Sequence, residues 1–377
     1  MSLAELLKTT HSIVVQMGFF HLSLAEVLMW GIGLLFVWLA IAKNFEPLLL
    51  LPIGFGIFIV NFPLGGLMDT PHSLLRVFFH YGLEWDIIPC LIFLGLGALT
   101  DFGPLIANPK TMIIGAGAQF GVFVTFVGTI LCGFTLKEAA SVSIIGGADG
   151  PTTIYLTMAL APHLLGANAL AAYSYMSMVP LIQPPIMRLM ISSKERAIRM
   201  RKLRPTGKTE KILFPIIVFA LIGLVVPSII PLMSMFMLGN LMLESGVVNR
   251  LADTSKNALM NIVTIFLGVS VGATMSAKQF LSPKPLLIFA LGLLDFAVCT
   301  LGGIVTVKIM NLFLKEKINP LIGSAGVSAV PMSARVSQKL ASEYDPENFV
   351  LMHAMGPNVA GVIGTAAAAG FLIAMFK

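Results

Sequence analysis

The chain has 377 residues, of which 57% are hydrophobic and 11% charged, with a formal net charge of +6. Globular domains carry about 25% charged residues, and no single core hides this much apolar surface, so the surface itself faces lipid. A soluble enzyme, a disordered chain and a coiled coil are excluded, and the long unbroken apolar runs argue against an outer-membrane barrel, whose strands alternate.

Nothing resembling a cleavage site follows the first short apolar stretch, so no removable signal peptide is expected. Spans are predicted at about 24–42, 47–62, 86–106, 111–134, 167–191, 212–232, 258–281, 285–312 and 348–376; each except the second approaches the roughly 20 residues that cross a bilayer. Segments near 71–83 and 236–252 mix charge with apolar residues and read as amphipathic stretches at the interface. Nine of the 24 Lys and Arg fall between Arg188 and Lys211. Such a basic loop marks the cytoplasmic side rather than a nucleic-acid partner. Cys90, Cys132 and Cys299 sit singly in apolar runs and read as small core residues.

Two apolar stretches are interrupted, Ser141–Ala161 and Pro320–Leu340, each with a Gly-rich centre followed by Pro151 or Pro331. Gly relaxes a helix and Pro removes a backbone donor. Unwound backbone at membrane depth must be buried in protein or line a cavity, so both read as broken or re-entrant helices. They belong to an internal repeat. Phe93-Leu94-Gly95 matches Phe266-Leu267-Gly268, Gly97-Ala98 matches Gly272-Ala273, Pro109-Lys110 matches Pro283-Lys284, and Arg76 falls near the place of Arg250.

The expected fold is an all-α polytopic membrane protein with about 11 transmembrane elements. It divides into an N-terminal arm and first helix (1–46), a first repeat (47–191), a basic linker (192–211) and a second repeat (212–377). If each broken element crosses once, a repeat has five crossings and its mate is inverted, as in secondary transporters. The N-terminus then lies inside, the C-terminus outside, and Lys315 and Lys317 fall outside, against the charge rule. Re-entrant elements would undo that parity.

Asp149 lies in Gly146-Gly147-Ala148-Asp149-Gly150-Pro151. An aspartate in an apolar span costs about 2.5–3.5 kcal/mol on insertion scales. It reads either as the cap of the half-helix after Pro151 or as a hard oxygen ligand for a small cation and a place for a proton. Ser328 adds a hydroxyl at the second break. Arg335 reads as a buried cation that opposes a bound cation, holds Asp149 or binds an anionic substrate; otherwise it snorkels from a helix end. Asn319 and Gly323 begin the second broken element, where an amide and a carbonyl can ligate. Tyr175 and Asn358 follow the two breaks, Tyr175 as a proton relay, a ligand or an ordinary buried tyrosine. Asn358, in Gly356-Pro357-Asn358, reads as a ligand at a helix interruption. Asp101 reads as a span end. Asp295 and Gln119 occupy matched places and read as interhelical hydrogen-bonding groups. His353 reads as structural. No phosphate loop or metal-finger spacing occurs.

Three motifs resemble one family. They are Gly147-Ala148-Asp149-Gly150-Pro151-Thr152 with Ile154-Tyr155-Leu156-Thr157, Gly326-Val327-Ser328-Ala329-Val330-Pro331-Met332 with Ala334-Arg335-Val336, and Tyr344-Asp345-Pro346-Glu347-Asn348-Phe349 leading to His353-Ala354-Met355-Gly356-Pro357-Asn358-Val359-Ala360-Gly361. The family is the membrane β subunit of the sodium-pumping biotin-dependent decarboxylases, and the resemblance runs from about residue 47 to the end. It implies that a carboxyltransferase α subunit loads a biotin carrier protein, that carboxybiotin is decarboxylated at this chain with uptake of an external proton, and that sodium is exported. It assigns sodium or proton binding, or catalysis, to Asp149, Ser328, Arg335, Asn319, Gly323 and Tyr175, none of them substituted; Ser333 stands where Ala is more usual. A small membrane γ/δ-type subunit, an oligomer, an elevator-like architecture and the bacterial inner (cytoplasmic) membrane are the further expectations. The residues alone indicate only a transporter with a cation site, leaving a stand-alone secondary sodium/proton or sodium/carboxylate carrier and a passive anchor as alternatives.

Overall fold

The computed structural model describes residues 15–377, and every regular element among them is helical. Helix α1 (Leu24–Lys43) starts at a capping box in which Ser23 N–H donates to Glu26 at 2.7 Å and Glu26 N–H donates to Ser23 Oγ, each satisfying a donor that the first turn leaves free. It ends at Asn44 in the left-handed conformation. Then follow α2 (Pro47–Val60), α3 (Leu74–Glu84) and α4 (Ile87–Leu99), the last two meeting at 60°. The first half continues with α5 (Thr111–Leu131), α6 (Leu136–Ser143), α7 (Gly150–Leu160) and α8 (Leu165–Met190). The second half holds α9 (Lys208–Val225), α10 (Pro227–Ser245), α11 (Asn249–Ala273), α12 (Pro283–Phe313), α13 (Met332–Tyr344) and α14 (Leu351–Phe376).

Six helices, α1, α5, α10, α11, α12 and α14, are long and apolar enough to cross a membrane, and the bent α3–α4 pair makes a seventh. Exposed apolar side chains such as Leu131, Leu189 and Phe313 have no water-compatible explanation at this density and fit a lipid-facing surface. Inside, small residues let backbones touch. A Cβ on Gly97 would stand 1.9 Å from Phe236 O, joining α4 to α10, and one on Gly272 would stand 2.4 Å from Ile53 O, joining α11 to α2.

Two expectations fail here. The span predicted at 212–232 and the interfacial stretch at 236–252 are three helices: α9 ends before Pro227, α10 runs to Ser245, and α11 begins at Asn249. Polar residues disguised α10, but Asn240 is fully buried and donates to Thr100 O at 2.6 Å. Asp101, as expected, lies at a helix end, where it accepts from Gly103 N–H and pairs with Lys211 at 2.9 Å.

The interrupted stretches are hairpins, so neither crosses once. In the first, α6 runs inward, a 3-10 turn (Ile145–Gly147) and left-handed Ala148 reverse the chain, and α7 runs back. Its base is tied by Glu138, which accepts from His163 Nε2 at 2.9 Å and Lys284 Nζ at 2.6 Å. In the second, a 3-10 turn (Pro320–Gly326) enters and α13 returns. Its two ends are held by the same carbonyls: Asn319 Nδ2 donates to Arg196 O and Ile198 O at 2.8 and 2.9 Å, and Asn348 Nδ2 to Ile198 O at 3.0 Å. The second base therefore lies beside the basic loop. Residues 313–318 are there too, since Arg201 pairs with Glu316 at 2.6 Å. Lys315 and Lys317 thus share the loop's end of the molecule, contrary to the parity argument but as the charge rule demands. At the other end, Glu26, His163 and Lys278 line one cavity, so the start of α1 lies opposite the basic loop, also contrary to that argument.

Candidate functional site

The two hairpin tips touch. Ser328 N–H donates to Gly147 O at 2.7 Å, so the unwound backbone of one tip satisfies the other. Supporting helices finish each tip. Asp295 on α12 accepts from Gly146 N–H at 2.7 Å, and Asn358 on α14 donates from Nδ2 to Val327 O at 2.6 Å. Gln119 on α5 stands at the matched place, its Nε2 within 3.5 Å of Gly326 O. Asp295 and Gln119 thus are interhelical hydrogen-bonding groups, Asp295 serving the first break and Gln119 the second.

Asp149 caps α7: Oδ1 accepts from Thr152 N–H at 3.0 Å. The cap reading is therefore true, yet it uses only one oxygen. Oδ2 is buried with no hydrogen-bond partner, and so is Oδ1 of Asn358. An unpartnered buried acceptor costs roughly 1–3 kcal/mol, and these two flank the tip contact, Asp149 two residues after Gly147 and Asn358 bonded to Val327 beside Ser328. The hydroxyl of Ser328 lies 2.6 Å from Thr365 Oγ1. Thr365 has one proton, and its other neighbours, Gln119 Oε1 at 3.0 Å and Gly361 O at 2.9 Å, only accept. Where Thr365 gives its proton to one of them it receives that of Ser328, an arrangement that leaves the Ser328 oxygen lone pairs free. Asp149 Oδ2, Asn358 Oδ1 and Ser328 Oγ are each hard oxygen donors, the type that suits a small hard cation.

The other expected residues lie elsewhere. Asn319 is fully buried at the hairpin base, its Oδ1 accepting from Leu321 N–H at 3.0 Å, so every polar atom of its side chain is used. Gly323 is a packing glycine: a Cβ there would stand 2.4 Å from Gly303 O on α12. Tyr175 donates its hydroxyl to Phe289 O and packs on Gly292. Arg335 is exposed on α13, with no acidic partner among the described residues, so the buried-cation reading does not hold in this conformation. His353 lies at the basic end, lining a cavity with Arg199 and Met352.

Two residues were missed. Thr365 lies seven residues after Asn358, two helical turns along the same face, and it interrupts a run of Gly, Ala and aliphatic residues. That periodicity was the available signal. Tyr173 packs its ring over Gly150, where a Cβ would meet Tyr173 Cε1 at 2.1 Å, and its hydroxyl is buried without a partner. It lies two residues from Tyr175, on a different face of α8.

A family model described as the Na+-transporting oxaloacetate decarboxylase beta subunit matches residues 25–376. The chain is 54% identical to the methylmalonyl-CoA decarboxylase subunit beta of Propionigenium modestum, over 95% of this chain and 97% of that one. It is 54% identical to the glutaconyl-CoA decarboxylase subunit beta of Acidaminococcus fermentans, over 97% and 96%. It is 48% identical to the oxaloacetate decarboxylase beta chain of Klebsiella pneumoniae, over 97% and 99%.

Proposed function

We propose a working scheme from the premise that the chain belongs to the Na+-transporting oxaloacetate decarboxylase beta subunit family. It is the membrane subunit of a multi-subunit sodium-pumping decarboxylase, a translocase coupling decarboxylation to sodium export. Family membership disfavours the stand-alone carrier.

Sodium is the cargo, and its site in our scheme is the junction of the hairpin tips. Asp149 Oδ2, Asn358 Oδ1 and Ser328 Oγ ligate it, and the single observation that carries this is the pair of buried, unpartnered oxygens of Asp149 and Asn358. Carboxybiotin on a biotin carrier, loaded by a carboxyltransferase α subunit, supplies a carboxylate whose loss as CO2 leaves an electron pair on the ureido nitrogen and takes up one proton. Asp149 holds that proton once sodium has gone, with Tyr173 over Gly150 bounding its pocket. Arg335, exposed one turn beyond the second tip, meets the carboxylate. Asn319 and Gly323 act indirectly, fixing the second hairpin, and Tyr175 fixes α8 on α12.

The scheme has two inverted repeats, 47–191 and 212–377, with the linker at 192–211. Hairpins that re-enter from opposite faces leave four crossings in each set of matched elements, α2 to α8 and α10 to α14, and α9, at the start of the 212–377 segment, turns the second set over. Matched contacts support this. Asn61 donates to Met275 O at 3.0 Å, and Asn240 donates to Thr100 O at 2.6 Å, the same bond in each half. Oppositely based hairpins suit elevator-like alternating access in a bacterial inner membrane, with a small γ/δ-type subunit and further copies as assembly partners.

The test is Asp149→Asn in the reconstituted complex. Asn caps a helix about as well as Asp, so the fold should hold while sodium-dependent decarboxylation is lost. Normal sodium dependence in that variant would sink the scheme.

A further inference from the structure

We propose that the basic end carries a site for an anionic phospholipid, its phosphodiester headgroup in a cavity beside the linker and its acyl chains along α12. The cavity, about 890 Å³, lies between residues 107–110, 198–204 and 313–318. Cations line it against a single acid, Glu316. Some of that charge is answered within the protein. Arg201 pairs with Glu316 at 2.6 Å, Arg204 with Glu210 at 2.9 Å, and Arg199 with Asp345 at 2.6 Å. Lys317 donates to Leu314 O at 3.0 Å. Lys110, Lys202 and Lys315 are exposed and have no acidic partner among the described residues. Three uncompensated cations around one concavity repel one another and concentrate anions there.

A second, independent observation says which anion. Ile309, Leu312 and Phe313 are 53%, 77% and 83% exposed and fall on one face of α12 by their spacing. Phe313 also lines the cavity. A cationic concavity opening onto an apolar helix face fits an amphiphile, whereas a water-soluble anion would leave that face unused. The basic end is the cytoplasmic end by the charge rule, and basic pockets between spans on that side recognise anionic headgroups. The site has a structural reach, because the carbonyls of Arg196 and Ile198, on the same linker, hold Asn319 and Asn348 at the second hairpin's base. A bound headgroup braces that base without touching the sodium site.

The experiment uses the purified complex in nanodiscs of phosphatidylethanolamine alone or mixed with phosphatidylglycerol. The wild type should melt several degrees higher with phosphatidylglycerol and retain it in native mass spectra. Lys110→Gln/Lys202→Gln/Lys315→Gln should lose both effects, and Lys315→Gln alone, the milder change, should lose part of each. Leu312→Ser/Phe313→Ser should weaken lipid retention while leaving the cavity cations in place. Equal melting shifts in the wild type and the triple variant, or no shift in either, would overturn the proposal. A shift of the same size from inorganic phosphate alone would overturn the lipid identity. Decarboxylation plays no part in these readouts, so they stand or fall separately from the sodium scheme.

Discussion

Thr365→Val tests the hydroxyl relay at the tip junction. Valine keeps the shape of threonine and removes only the oxygen that receives the Ser328 proton at 2.6 Å. Ser328 Oγ then loses its anchor and is free to turn its proton toward the place where its lone pairs face a cation. One net hydrogen bond is worth about 0.5–1.5 kcal/mol, which at 1.4 kcal/mol per decade is about 2- to 12-fold in the sodium concentration that half-activates decarboxylation. The rate at saturating sodium should stay near that of the wild type, because Asp149 and Asn358 are untouched. Thr365→Ser keeps the hydroxyl and should restore normal sodium activation. Ser328→Ala removes the ligand itself and should weaken activation further. The assay is the sodium dependence of decarboxylation by the reconstituted complex. Wild-type sodium activation in Thr365→Val would refute the reasoning. So would equal weakening in the Val and Ser variants, since a steric effect would then replace the proton argument.

Two further outcomes follow from the hairpin base. Asn319→Ala removes three hydrogen bonds in a fully buried place, and orphaned buried groups cost roughly 1–3 kcal/mol each. The variant should melt well below the wild type while its sodium half-activation moves less than about twofold; a sodium effect as large as that of Thr365→Val would move Asn319 into the ligand shell. At Asp345, hydrogen bonding from Arg199 holds the carboxyl below its ordinary range. A depressed carboxylate stabilises the fold above its unfolded pKa and loses that contribution as pH falls through its folded value. The melting difference between wild type and Asp345→Asn should therefore be flat above about pH 5 and shrink below about pH 4. A difference that grew on acidification would contradict the pairing.

The two breaks, the first tip's carboxylate and Asn358 at a helix interruption were legible because Gly, Pro and Asp inside apolar runs violate rules that lipid enforces strictly. Whether a break crosses or doubles back was not legible. A stretch of about 20 residues is long enough for one crossing or for two arms of half that length, and only long-range contacts such as Glu138 with His163 decide. Helix α10 was hidden because Asn240 and Glu244 look interfacial until Thr100 O and Lys211 are placed beside them. Tyr173 was not singled out in the sequence, because neighbours two apart on a helix face different ways and sequence order carries no rotation about the helix axis. Arg335 was read as buried from its apolar surroundings, yet α13 is amphipathic, with Ser333, Ala334, Val336 and Ser337 taking the inner face.

The Gly147–Ser328 bond also limits how sodium can be released. Prising the tips apart would strip a buried N–H and a buried carbonyl of each other, at roughly 1–3 kcal/mol per orphaned group before any repacking. A gate that opened between the tips would meet that penalty on every turnover. In the proposed scheme, carrying both tips as one locked body avoids it, so the cheaper route would move the cargo with its cage and leave the clasp shut throughout.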